Sequence, residues 1–220
     1  MVRRTPERSS PSTSLPKVER RLGCPKSPQP WPELCFDLEN RPSAYWYDGQ
    51  TTSEITAICW KWSDEDTPKT LLLRHDDYFE DNEGKLLPGN KAYVLFRGEL
   101  SRAGLVYGHN IRRHDLPIFQ ASLVRRQLPP LEPVMTCDTL KDLPKLGGMA
   151  RSLDNLASMY GLPGKKFHMA QHDWERANQL TEDGLALARK RVESDVLLQE
   201  KLRAKLLELH LLRPARMWNP

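Results

Sequence analysis

Apolar and polar positions follow the period of a strand first and that of a helix later along this chain. Leu34–Glu39, Glu54–Trp62 and the leucine-rich Thr70–Arg74 read as strands, and the Pro, Asp and Gly residues between them suit an antiparallel meander. Asn90–Ala103 reads as a helix and Leu105–His109 as a buried strand. Asp115–Leu128 sets Ile118, Phe119, Ser122, Leu123 and Arg126 at helical spacing before Pro129 and Pro130 stop it. Val134–Cys137 is a fifth, short strand. Ser152–Tyr160 starts on a serine cap and ends near Gly161. A long helix covers roughly Glu182 to Leu209, with Leu185, Ala188, Val192, Leu202, Leu206 and Leu209 on its apolar face. Strands first, then helices alternating with strands, predict one α/β domain with a mixed five-stranded sheet flanked by helices. The expected domain covers residues 31–212, between an N-terminal tail (1–30) and a short C-terminal tail (213–220).

Composition adds two points. The formal net charge of +4 is concentrated at one end: residues 1–30 hold seven basic and two acidic side chains, a net +5, which leaves −1 for the rest. Rich in Pro and Ser, this tail reads as disordered, either an arm for phosphate backbones or a plain solvated extension. No apolar run is long enough to span a bilayer, and no secretory h-region is visible. Cys24, Cys35, Cys59 and Cys137 lack zinc-ligand spacing and read as reduced thiols of a cytoplasmic protein.

The acids carry the chemistry. Alternation puts Asp37 and Glu39 on the same face of the first strand. Two neighbouring carboxylates repel each other and resist desolvation, a cost that a hard divalent cation offsets. Asp115 stands at a strand-to-helix junction, where it also suits a helix N-cap. Asp195 interrupts the apolar face of the last helix, where a buried acid needs a partner; Arg191, one turn earlier, is one candidate. Four carboxylates from strand, loop and helix are what a two-metal phosphodiester site requires.

The order Asp37-x-Glu39, Asn110-x4-Asp115 and Asp195 resembles the DEDD superfamily of 3′–5′ exonucleases, which includes the proofreading domains of DNA polymerases. The likeness is to stand-alone exonuclease-like proteins of bacteriophages. It is carried by Gly108-His109-Asn110…Asp115-Leu116-Pro117, Asp138-Thr139-Leu140-Lys141, Leu153-Asp154-Asn155-Leu156-Ala157 and Asp195-Val196, over about residues 33–212. The resemblance implies a ribonuclease H-like fold, with Mg²⁺ or Mn²⁺ held as two ions by Asp37, Glu39, Asp115 and Asp195. It further implies single-stranded or frayed nucleic acid as substrate, DNA ahead of RNA, and the host cytoplasm as the location if the gene is a phage's.

The chain departs from that pattern at the residue that orients the attacking water. The family has Tyr four positions before the last Asp, or His five before it; here those positions hold Arg191 and Lys190. A guanidinium is no general base near neutral pH, though Arg191 can bind a substrate phosphate. A second register, His168-x-Ala170-x-x-Asp173, has the spacing of the histidine branch, with Asp173 as fourth ligand and His168 as base. Asp195 is preferred because it rides the longer helix. Asn110 is a candidate substrate contact, whereas His109 reads as a loop histidine. Tyr45, Trp46 and Tyr47 either pack in a hairpin or stack on bases. The leading expectation is a 3′–5′ exonuclease. The alternatives are a catalytically impaired nucleic-acid-binding relative and an endonuclease of the same fold.

Overall fold

The structure is a computed structural model that describes residues 32–45, 51–145 and 147–220. The basic N-terminal tail, Cys24, Trp46, Tyr47 and the side chain of Tyr45 lie outside the described residues.

The five expected strands are β1 (Glu33–Tyr45), β2 (Thr51–Trp62), β3 (Lys69–Arg74), β6 (Leu105–Gly108) and β7 (Val134–Asp138). Three-residue strands β4 (Tyr78–Glu80), β5 (Leu86–Pro88) and β8 (Arg216–Trp218) were not expected. Together they form one eight-stranded sheet in the order β5-β4-β3-β2-β1-β6-β7-β8. Its centre, β3-β2-β1-β6-β7, contains the five expected strands: the first three are antiparallel, and β6 and β7 run parallel to β1. The short strands extend both edges, and β8 carries the sheet past residue 212, where the sequence places the domain's end. Strands this short carry no readable alternation.

The helices are α1 (Gly89–Arg102), α2 (Asp115–Arg125), α3 (Leu153–Met159), α4 (Gln171–Asn178) and α5 (Glu182–Glu208). Only α4 was not expected; it is short, and Ala177 is its only buried residue. Ser152 caps α3 through the Asn155 amide, and Thr181 caps α5 through the Gly184 amide. Leu209 lies just past α5 and is 40% exposed, so the helix's apolar stripe ends at Leu206. No described helix is long and apolar enough to cross a membrane.

Alternation along the central strands sorts side chains onto two unlike faces. Phe36 and Trp60 meet Phe96 of α1 at 5.5 and 5.3 Å between ring centroids, and Phe96 meets Phe119 of α2 edge-on at 5.0 Å. Burying each such ring stabilises the fold by roughly 1.5–3 kcal/mol. The opposite face packs on α5. There the Cys35 thiol donates to the Val196 carbonyl at 3.6 Å, and Lys61 pairs with Glu200 at 2.7 Å. Cys35, Cys59 and Cys137 are buried and unpaired. Asp37 and Glu39 follow Cys35 onto this second face, and α5 brings Asp195 to it.

Candidate metal centre

Asp37 pairs with Cys59 and Glu39 with Ala57 across the β1–β2 ladder, and a bulge follows at Glu39/Asn40. The bulge shifts the register by one residue just past Glu39, and pairing resumes at Asn40 with Ile55. Asp37, Glu39 and Asp195 each offer a carboxylate oxygen, and these three atoms lie within 4.8 Å of one another. Asp115 lines the same cleft and is 2% exposed; its Oδ1 accepts the Leu38 amide at 3.1 Å, which ties the start of α2 to β1. The cleft encloses about 300 Å³, and Asn110, His114, Lys166, Arg191 and Gln199 also line it.

The residues expected as a fourth-ligand alternative lie elsewhere. Asp173 sits in the first turn of α4, where it accepts the Ala170 amide at 2.9 Å and pairs with Arg176 at 2.6 Å. His168 pairs with Asp154 at 3.3 Å. Neither lines the cleft, so the carboxylate that joins Asp37 and Glu39 is Asp195. A short amphipathic segment was enough to form α4, and its N-terminal amide explains the acid at Asp173 without a ligand.

The clustered acids are under electrostatic strain. Burial raises the Asp37 carboxyl well above the usual range, and the charges of Asp115, Glu39 and Asp195 add to the rise. Burial pushes Glu39 up to about 7, with Arg191 opposing. Burial also raises Asp195, against the pull of Lys166 and Arg191. Asp195 Oδ2 is shared by Lys166 Nζ and Arg191 Nε, each at 3.2 Å, and Arg191 Nε lies 3.4 Å from Glu39 Oε1. The other oxygen of Asp195, Oδ1, is buried without a hydrogen-bond partner. An orphaned buried oxygen beside two further carboxylates is a donor set for a hard cation.

Three cleft residues escaped the sequence reading. Gln199 donates from Nε2 to Asp37 Oδ1 at 2.8 Å, fixing that carboxylate. The signal was available: Gln199 lies four residues after Asp195, on the same face of α5. Gly108 leaves room for it: a Cβ there would meet Ile111 Cγ2 at 2.5 Å, Gln199 Oε1 at 2.9 Å and the Phe36 carbonyl at 3.0 Å. His114 Nδ1 lies 3.7 Å from Asp115 Oδ1, and that neighbouring carboxylate raises its pKa. Lys166 comes from an irregular connector, where periodicity gives no warning. Asn110 occupies the left-handed region at φ 71°, a conformation asparagine tolerates, and lines the cleft as expected. His109 hydrogen-bonds Thr139 Oγ1 at 2.9 Å, and burial lowers its pKa to about 4, so it is neutral at pH 7.

No family model matches this chain, and no curated protein matches it. Among solved structures, its fold is similar to that of a family B DNA polymerase from the hyperthermophilic archaeon Pyrobaculum calidifontis. The TM-score is 0.59 at 16% identity, over 82% of this chain and 25% of the polymerase, so the chain spans about a quarter of that protein's length. The fold is mixed α/β and ribonuclease H-like.

Proposed function

We propose that this protein is a metal-dependent 3′–5′ exonuclease that hydrolyses the terminal phosphodiester of a single-stranded or frayed nucleic acid, with DNA ahead of RNA. One observation carries the reading. Carboxylate oxygens of Asp37, Glu39 and Asp195 gather within 4.8 Å at the base of a cleft, and Asp195 keeps a buried oxygen unpartnered. The similarity of fold to a DNA polymerase agrees with the sequence resemblance, because that superfamily includes polymerase proofreading domains.

In this reading Asp37, Glu39, Asp115 and Asp195 hold Mg²⁺ or Mn²⁺. When bound, the ions would supply an activated water and a Lewis acid for the phosphoryl oxygens. The chain's own residues do the rest. Gln199 fixes the Asp37 carboxylate, and the Leu38 amide fixes Asp115. Asn110, at the cleft's edge, contacts the strand. Purified protein incubated with Mn²⁺ and a 3′-labelled single strand should release labelled mononucleotide, and Asp37→Ala should abolish the release. Persistent cleavage by Asp37→Ala would overturn the proposal.

A second reading has its own observation. Lys166 and Arg191 already stand as counter-ions beside Asp195, where a metal's charge would otherwise be needed. A relative that binds strands without cutting them would show metal-independent binding and no turnover. Comparing circular with linear single strands separates an endonuclease of the same fold from both.

A further inference from the structure

We infer that Lys166 is the residue that contacts the phosphate of the bound strand, and that Arg191 is a positioning residue that holds the segment carrying Lys166 in place. This rests on the proposed nuclease reading and assigns the phosphate contact within that same site.

The segment Pro163–His168 joins α3 to α4 without regular structure and is latched along α5. Lys201 Nζ donates to the Pro163 carbonyl at 2.9 Å. The Phe167 amide donates to Ser194 Oγ at 3.3 Å, and the Lys190 ammonium stands 4.5 Å over the Phe167 ring. Arg191 Nη1 donates to the Phe167 carbonyl. Between these latches Lys166 reaches Asp195 Oδ2 at 3.2 Å.

The two cleft cations differ in freedom. Arg191 Nη1 donates to the Phe167 carbonyl, its buried Nε lies at ion-pair distance from Glu39 and Asp195, 3.4 and 3.2 Å, without a hydrogen bond to either, and its guanidinium lies 5.9 Å from the Trp174 ring. Its side chain is 13% exposed, so turning it toward a ligand would break the latch. Lys166 is 23% exposed, and among the described residues its one ion-pair partner is Asp195. A compact ammonium on a four-carbon stem swings at little cost, whereas a guanidinium held at several points does not. Should Asp195 turn to a divalent ion, like charges would crowd together and the ammonium would leave. The open volume beside it is the cleft, where an incoming phosphate would offer a charge-assisted hydrogen bond.

The test measures binding apart from turnover. The probe is a fluorescent single strand with a phosphorothioate at its 3′-terminal linkage, titrated by anisotropy in Ca²⁺. Lys166→Ala should weaken binding about ten-fold, and Lys166→Arg should restore most of it. Calorimetry should show Mn²⁺ affinity of Lys166→Ala unchanged or tighter, since a competitor for Asp195 is gone. Arg191→Ala should weaken the strand, and the double variant should bind no more weakly than Lys166→Ala alone. Thermal melting checks that each variant is folded. Unchanged binding by Lys166→Ala would make Lys166 a counter-ion only. Multiplying effects in the double variant would show that Arg191 touches the strand itself. If the wild type binds the strand but does not cut it in Mn²⁺, the exonuclease reading fails while Lys166 is still tested. A wild type that does not bind the strand overturns both.

Discussion

Asp138, the last residue of β7, and Asp142, four residues further on, are more deeply buried than Asp37 and Glu39, at 0% and 1% exposure, yet every carboxylate oxygen of theirs is partnered. Asp138 Oδ1 accepts the amides of Asn110, Leu140 and Lys141, and its Oδ2 accepts that of Arg112. Asp142 binds the Arg112 guanidinium through both oxygens, at 2.7 and 2.8 Å, and also takes the Asp138 amide. The cleft acids are arranged in the opposite way. They face one another, share two cations, and leave one Asp195 oxygen bare. A satisfied acid group fixes a loop, and here it fixes the loop that presents Asn110. A starved acid group stores repulsion that a ligand can relieve.

Breaking the satisfied group should have the largest effect on stability. Asp142→Ala leaves the mostly buried Arg112 guanidinium without its carboxylate partner, with only Thr136 still bonded to it, and should cost about 3 kcal/mol, read as a lower chemical-denaturation midpoint. The matching change in the starved group should do the reverse. Asp37→Asn should leave metal-free stability unchanged or raised, while Mn²⁺ affinity falls at least about 100-fold, since even indirect changes around a metal cost 10–100-fold.

pH sharpens the contrast. With its folded pKa of about 7 above the usual 4.5, Glu39 makes the native state hold more protons than the unfolded state in that window. Its contribution is therefore fully present below pH 4.5 and lost as pH rises through 7. The full change is on the order of 3 kcal/mol. Denaturation of metal-free protein from pH 5 to 8 should show this fall, and Glu39→Gln should flatten it. Mn²⁺ should offset the loss, so its stabilising effect should grow with pH.

The smallest expected effect is at the glycine that lets the starved group form. Gly108→Ala should cost about 1–3 kcal/mol by pressing first on the buried Ile111 side chain, at 2.5 Å, and then on Gln199 and the Phe36 carbonyl. It should also weaken Mn²⁺ binding through the displaced Asp37 carboxylate.

The two acid groups were not equally legible in the sequence. Asp37 and Glu39 could be found because strand alternation sets both carboxylates on one face, and Asp195 because it interrupts a helix's apolar stripe. The five central strands and four of the helices followed from the same periodicities. Asp138 stood in a noticed motif, but its role depends on backbone amides from two loops, which residue types do not reveal. Lys166 was invisible because an irregular connector brings it to the site. Asp173, the alternative to Asp195, matched by spacing alone: its carboxylate answers a helix N-terminus and Arg176, a need that a motif read in one dimension cannot tell from metal binding. Strands β4, β5 and β8 are set by pairing at the sheet edges rather than by their own sequence.

The central claim is that the cleft acids are strained because they await a cation. Calorimetric titration of Mn²⁺ into wild type and Asp195→Asn at pH 7.5 tests it most directly. The account predicts saturable binding by the wild type and loss of that binding in Asp195→Asn, with the variant still folded. Equal binding by both proteins, or none by the wild type, would contradict it.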